Sequence, residues 1–492
     1  MRSIFYKLLR HVDAVFLIIS LFLIIYNLLL VWGFTFIPFQ DHPSHLLREN
    51  VLLNYNNPKY DYNRNFDINI NPVPNVLSDI AVYLLGLLFP LKLASKLFYS
   101  IYIIFFPLSF FYFITRIFRQ SRVYVLFAIL YTYSFFACMG NENFLMSLIL
   151  FFCLWGLVLD ENRIPIRKIL VFILIQLLYL SHMFTFYIAF ISISSYLIFN
   201  KKIREIFYNI LFFLPGIVLF GWWQLSERGT LVVKKNVAEM ILFSFNKIKT
   251  LLISLAPYTF YDGYTAVGLI FFCVIVLVIY GVKVSANEKL RKMFYVFIVI
   301  LLNIFLPTTL FFYGPDQRSF FIANLFAVIL FPLKNKIRYS VCFILLIVNI
   351  YSAVANYDYF KWSNIELKGI VKDFKKIPRG LKILPVVCEP YIWSCASHRV
   401  FEYYHLLKGG INPYHFFTGN NIVCYKNPPP VLDIYAKTTD QYTQSLLDCF
   451  DAVMVIGNRF DPQAAELIYF FKSRGFSNTI IKSSSVFVLK KE

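Results

Sequence analysis

The feature that most limits what this chain can fold into is the return, again and again, of long apolar runs. They lie at Ala14–Phe36, Leu97–Phe118, Val123–Met139, Phe144–Leu159, Ile169–Leu180, Met183–Phe199, Ile206–Leu225, Tyr264–Val282, Met293–Tyr313, Phe320–Leu333 and Tyr339–Ala355. About 18 or more apolar residues in a row is the length a helix needs to cross a hydrocarbon core. Only 15% of the residues are charged and 59% are hydrophobic, whereas a soluble domain carries about 25% charged residues. The expected fold is a polytopic α-helical membrane protein of about eleven transmembrane helices plus juxtamembrane helices. A small C-terminal α/β domain outside the membrane completes it. The formal charge of +20 does not point to nucleic acid. Lysine and arginine gather in short loops between the runs, which is how cytoplasmic loops of membrane proteins are marked.

That rule also orients the chain. The basic head (Arg2, Lys7, Arg10) belongs in the cytoplasm, and Phe16–Trp32 is longer than a signal-peptide core, with no small-residue cleavage pattern after it. The short apolar piece Val76–Pro90 decides the rest. If it lies in the outer interface and the chain turns near Ser181-His182, then the clusters around Arg116–Arg122, Arg163–Lys168, Lys201–Arg204, Lys289–Lys292 and Lys334–Arg338 are all cytoplasmic. The exception is the pair Lys92 and Lys96, left near the outer surface. A bacterial inner membrane, with the C-terminal domain exterior, is the location this suggests. Residues 1–356 then form the membrane domain, with exterior loops at 37–96 and 226–262, and residues 357–492 form the exterior domain. Val237–Leu255, in the second loop, suits a helix lying flat in the interface.

Within the first loop, Gln40–Asn50 (QDHPSHLLREN) packs titratable groups densely after an apolar span. Pro43 suits the first turn of a helix. A helix starting there, lying on the membrane surface, carries His45, Arg48 and Glu49 on one face, with Asp41 just before it. Asp41 is the candidate general base, since a carboxylate can accept a proton from an acceptor hydroxyl. Its structural alternative is a helix cap. His42, His45 and Asp79 are candidate substrate-binding residues. A divalent cation held by Asp41, His42 and His45 is an alternative, although no second carboxylate follows closely. No metal ligand set or cofactor is otherwise indicated.

In the preferred topology three more polar groups reach the same membrane face. Glu142 stands between Asn141 and Asn143, His182 follows Ser181, and Arg318 follows Gly314-Pro315-Asp316-Gln317. Glu142 could orient an acceptor or belong to a solvated turn. His182 could act on substrate or pack between helices. Arg318 beside a helix N-terminus suits a lipid-linked phosphate, or else it snorkels to the interface beside Asp316.

From about Tyr357 the composition changes. Leu381–Val387 and Ala452–Ile456 read as buried strands, Pro462–Arg474 as a helix stopped by Gly475, and Thr479–Lys482 with Ser485–Leu489 as a closing strand pair.

This layout resembles the GT-C superfamily of membrane glycosyltransferases: a first span, then Asp41-His42-Pro43-Ser44-His45, an exterior loop to Asn75, many spans, and a terminal exterior domain. The resemblance implies transfer of a sugar from a polyprenyl-phosphate donor to a glycan, lipid or protein acceptor at the outer face. It gives Asp41 the role of base and makes Arg318 a candidate for the donor phosphate. The chain departs from the pattern in having no Asp-Glu or Asp-x-Asp pair after Asp41. Two other functions fit a chain of this composition: a transporter or flippase of lipid-linked glycans or small solutes, and a non-enzymatic envelope assembly protein. A transporter would place polar groups and broken helices at the bilayer midplane.

Overall fold

The computed structural model describes residues 2–117, 124–160, 166–225, 288–305, 315–327, 335–388, 398–413, 422–427, 439–457, 462–482 and 486–491. The interfacial helix expected at Val237–Leu255 and the span at Tyr264–Val282 lie outside them. In chain order the helices are α1 (Arg2–Gly33), α2 (His42–Leu53), α3 (Tyr62–Asn65), α4 (Leu77–Gly86), α5 (Leu91–Ile117), α6 (Val125–Leu130), α7 (Phe135–Cys138), α8 (Glu142–Leu159), α9 (Arg167–Ser181), α10 (Met183–Phe199), α11 (Ile203–Leu225), α12 (Glu288–Leu302), α13 (Pro315–Ala327), α14 (Asn335–Phe374), α15 (Glu402–Lys408), α16 (Gln444–Leu447) and α17 (Pro462–Ser473). The strands are β1 (Phe66–Ile68), β2 (Ile383–Val387), β3 (Val423–Tyr425), β4 (Ala452–Ile456), β5 (Asn478–Lys482) and β6 (Val486–Lys490).

Among the described residues, five helices are long and apolar enough to cross a membrane: Val15–Gly33, Leu91–Ile117, Glu142–Leu159, Ile203–Leu225 and Phe343–Phe374. This is a helical membrane protein, but the count falls short of eleven. Of the expected spans, Tyr264–Val282 lies outside the described residues and Met293–Tyr313 and Phe320–Leu333 lie partly outside them; elsewhere apolar composition does not guarantee a long continuous helix. The run at 123–139 breaks into α6 and α7 around Tyr131–Ser134, and most of its side chains are packed inside. Every residue of α13 is buried, its polar Asp316, Gln317, Arg318, Ser319 and Asn324 included, so it is enclosed by protein. The helix in Val76–Pro90 spans only ten residues, roughly 15 Å of rise against a core of about 30 Å.

The chain divides into two compact units, 1–33 with 99–357 and 34–98 with 358–492. The first unit is helical. His182 adopts an extended conformation (φ −158°, ψ 115°) between α9 and α10, and the chain reverses there. Phe172 and Phe213 mark the result: Phe172 meets Phe212 of α11, while Phe186 and Phe190 of α10 meet Phe213. The high aromatic content has a physical use in this unit. Phe113, Phe151, Phe152, Trp155 and Phe326 form a contiguous cluster, with centroid separations of 5.1 Å for Phe113–Phe326 and 5.5 Å for Trp155–Phe326. Large rings fill space between helices in tilted and edge-on contacts.

The second unit is built on a four-stranded sheet in the order β2-β4-β6-β5, in which β2 and β4 are parallel and the other pairs antiparallel. Alternation along each strand divides the apolar residues between two layers. Ile383, Val387, Ala452, Met454, Ile456, Val486 and Val488 face one core with Val400–Leu406, the last turns of α14, Phe36 and Leu46. Leu384, Val386, Val453, Val455, Phe487 and Leu489 face a second core with α17 and Phe450. A separate strand pair, β1 with β3, joins Phe66–Ile68 to Val423–Tyr425 in antiparallel register. The segment expected as the first exterior loop is thus sewn into the C-terminal α/β unit.

In the second core Phe471 has no exposed surface and lies 5.1 Å from Tyr442, whereas Tyr469 on the same helix is 78% exposed. Replacing Phe471 by alanine should cost about 3–5 kcal/mol, and replacing Tyr469 about 0.5 kcal/mol or less. Denaturant unfolding of the purified protein in detergent would compare them.

Candidate functional site

The polar stretch at the end of the first span does form a helix, with Asp41 at the N-cap position and Pro43 in the first turn. It does not lie on a surface. All of His42 to Val51 is buried, because α4 packs on one side and α15 on another. Asp41 makes no side-chain capping bond to α2. Its Oδ1 instead meets Nε of Arg399 at 3.4 Å, with about a fifth of each side chain exposed.

His45 and Asp79 come together. His45 Nδ1 is 3.2 Å from Asp79 Oδ1, and Arg48 Nη1 donates to Asp79 Oδ2 at 3.1 Å. Arg48 Nη2 stands 3.4 Å from the same His45 nitrogen. That nitrogen cannot both donate to Asp79 and accept from Arg48, and the shorter contact assigns its proton toward Asp79. The three side chains are all nearly inaccessible, so Asp79 neutralises a buried guanidinium and orients an imidazole. This makes it a support for α2. Its oxygens are spoken for.

His42 faces another way. Its Nε2 is 3.4 Å from Ser95 Oγ, and both line a shallow, half-open hollow with room for little more than one water, together with Thr35, Phe36, Ile37, Leu46, Lys92, Lys96 and Tyr403. Lys96 Nζ donates to the Phe34 carbonyl at 2.6 Å, and Lys92 stands 5.3 Å from the Phe36 ring centre. The lining is mostly apolar, with Lys92, Lys96, Ser95 and His42 among its residues. At the end of α4 and just after it, Leu84, Leu87, Leu88 and Phe89 are exposed.

Glu402 was not anticipated from the sequence. It has no exposed surface, accepts from Ser44 Oγ at 3.4 Å and from Asn412 Nδ2 at 3.1 Å, and is pushed up to about 7 by burial, against the pull of Arg399. The available signal was a carboxylate set between Phe401 and Tyr403 in an otherwise apolar turn. His405, one turn on, is fully buried and pushed down to about 4 by desolvation, with Nδ1 donating to the Gly409 carbonyl at 3.1 Å. It is a neutral packing residue.

The remaining candidates belong to the helical unit, where they form one cluster. Glu142 accepts from Tyr99 Oη at 2.8 Å and is 1% exposed, so the solvated-turn alternative does not describe it. Arg318 Nη2 donates to Asn141 Oδ1 at 3.2 Å, and its guanidinium lies over Phe136 and Phe144 at 5.6 and 5.5 Å. Phe144 in turn meets the His182 ring edge-on at 5.2 Å. His182 Nδ1 faces the backbone N–H and hydroxyl of Thr185, and Ser181 Oγ donates to the Asn143 carbonyl at 2.8 Å. The turns at 140–143 and 181–182 and the start of α13 thus converge.

Among the described residues, no group of three or more His, Cys, Asp or Glu side chains is arranged to hold a metal. With His45 turned to Asp79 and Asp41 to Arg399, the cation set of Asp41, His42 and His45 does not fit the geometry. The sequence matches no protein-family model and no curated protein.

Two measurements test these assignments. Replacing Asp79 by alanine leaves Arg48 buried without its carboxylate and should cost about 3–5 kcal/mol in detergent denaturation. Glu402 holds its proton in the folded state up to about pH 7 but releases it near 4.5 when unfolded. The folded state binds more protons between those values, so stability falls as pH rises through that window, by about 3 kcal/mol in all. The Glu402→Gln variant should lack this decline when unfolding is followed from pH 4.5 to pH 7.5.

Proposed function

We propose that this protein is an integral membrane glycosyltransferase that moves a sugar from a polyprenyl-phosphate donor to a glycan, lipid or protein acceptor. The single observation that carries the reading is the disposition of Asp41. Its carboxylate is left out of the helix cap, is partly exposed, and is held by the guanidinium of Arg399. The ammonium groups of Lys92 and Lys96 suit an anionic lipid head, and the exposed Leu84, Leu87, Leu88 and Phe89 suit its chain.

The step is a direct displacement. The acceptor hydroxyl gives its proton to an Asp41 carboxylate oxygen as its own oxygen bonds to the anomeric carbon. The bond from that carbon to the phosphate oxygen breaks, and polyprenyl phosphate leaves with the electron pair. Cations placed before the reaction stabilise the charge that develops on the leaving oxygen. Lys92 and Lys96 suit that task. A phosphate needs no separate acid to leave, so one carboxylate suffices as base. In this reading the N-terminus is cytoplasmic, residues 357–492 are exterior, the membrane is a bacterial inner membrane, and about eleven crossings complete the topology.

The test uses membranes carrying the full chain and a labelled polyprenyl-phosphate sugar. Asp41→Asn should reduce transfer by roughly 10²–10⁴-fold, with unchanged membrane insertion and a still cooperative unfolding transition. Transfer at the wild-type rate would remove Asp41 from the chemistry.

A further inference from the structure

Asp41 and Glu402 lie about 360 residues apart in sequence, yet both answer to one guanidinium. Arg399 Nε meets Asp41 Oδ1 at 3.4 Å. The same arginine favours the charged form of Glu402, while Asp41 disfavours it, so the two carboxyl groups feel each other and share the cation. Ser44, three residues after Asp41, ties the helix that carries Asp41 to Glu402.

We propose that the C-terminal region completes the Asp41 site, with Arg399 the positioning residue that aims the Asp41 carboxylate and Glu402 a second acid that contends for Arg399. The proposal rests on the reading of Asp41 as base. Arginine suits the role because its planar fork holds a carboxylate in a fixed direction, which a lysine ammonium does not.

The groups around Glu402 set when the contest begins. Asp41 and Ser44 face it from the start of α2, Arg399 from the turn before its own helix, and Asn412 from the segment after it. Tyr62 and Tyr425 feel its charge, but burial pushes both phenols up, so they stay neutral. His405 is neutral as well. Arg399 is therefore the one cation among these neighbours. Below about pH 7 Glu402 carries a proton and places no charge against Arg399. Above it, two carboxylates face one guanidinium, and Asp41 is held less firmly.

The test combines pH profiles of sugar transfer with unfolding of the full chain. Wild-type kcat should fall as pH rises through 7, and Glu402→Gln should extend the high-pH limb upward by a unit or more. Arg399→Gln should lower kcat by tenfold or more with little change in KM, and Arg399→Lys should recover part of the loss. In denaturation, Asp41→Asn and Arg399→Gln should combine non-additively, because they remove the same contact. Additive unfolding effects, or a loss in Glu402→Gln that is equal at every pH, would overturn the proposal. Retained transfer by Asp41→Asn would instead overturn the reading beneath it, so the two failures are distinguishable.

Discussion

A helix with ten successive buried residues, six of them polar or ionisable, exists only if partners elsewhere in the chain satisfy it. That helix is α2, and its His42, Ser44, His45, Arg48, Glu49 and Asn50 are all sequestered from solvent. An unpaired buried charge costs several kcal/mol, so the fold around it follows from its needs. Asp79 comes from α4 to meet Arg48 and His45, Ser95 from α5 to meet His42, and Glu402 from α15 to meet Ser44. Asn50 donates to Tyr62 Oη at 2.7 Å. The strand pair of 66–68 with 423–425 then fixes the loop against the C-terminal residues by backbone hydrogen bonds. Once α2 is satisfied in this way, Asp41 at its threshold is held at a defined place without being consumed as a cap.

The same logic separates the residues that support from those that can act. Asp79, Arg48 and His45 neutralise one another inside the unit, and His405 is neutral and packed. Asp41, Lys92 and Lys96 keep access to the outside. The lysine pair had looked like an exception to the charge rule that orients the spans.

Much of this was legible in the sequence where the signal is local. Pro43 after Asp41 marked the start of α2, the β-branched run at 452–456 marked a central strand, and Gly475 marked the end of α17, where it adopts φ +92°. The polar turns at 140–143 and 181–182 and Arg318 pointed to one cluster, and those side chains do gather around Phe144. What local signals cannot carry is pairing across the chain. Nothing near Asp41 announces Arg399 or Glu402, and the amphipathic look of α2 suggested a membrane surface because the covering helix α15 lies so far along the sequence. Composition also cannot tell an apolar helix in lipid from one in a protein core. The fully buried α13 and the broken run at 123–139 read as spans for that reason.

The central claim is chemical, and the fate of the donor tests it most directly. Purified full-length protein in proteoliposomes would be given a polyprenyl-phosphate sugar labelled in both the sugar and the lipid. The account predicts that each labelled sugar joined to an acceptor is matched by one free polyprenyl phosphate. Donor that stays intact while it, or another solute, crosses the bilayer would contradict it.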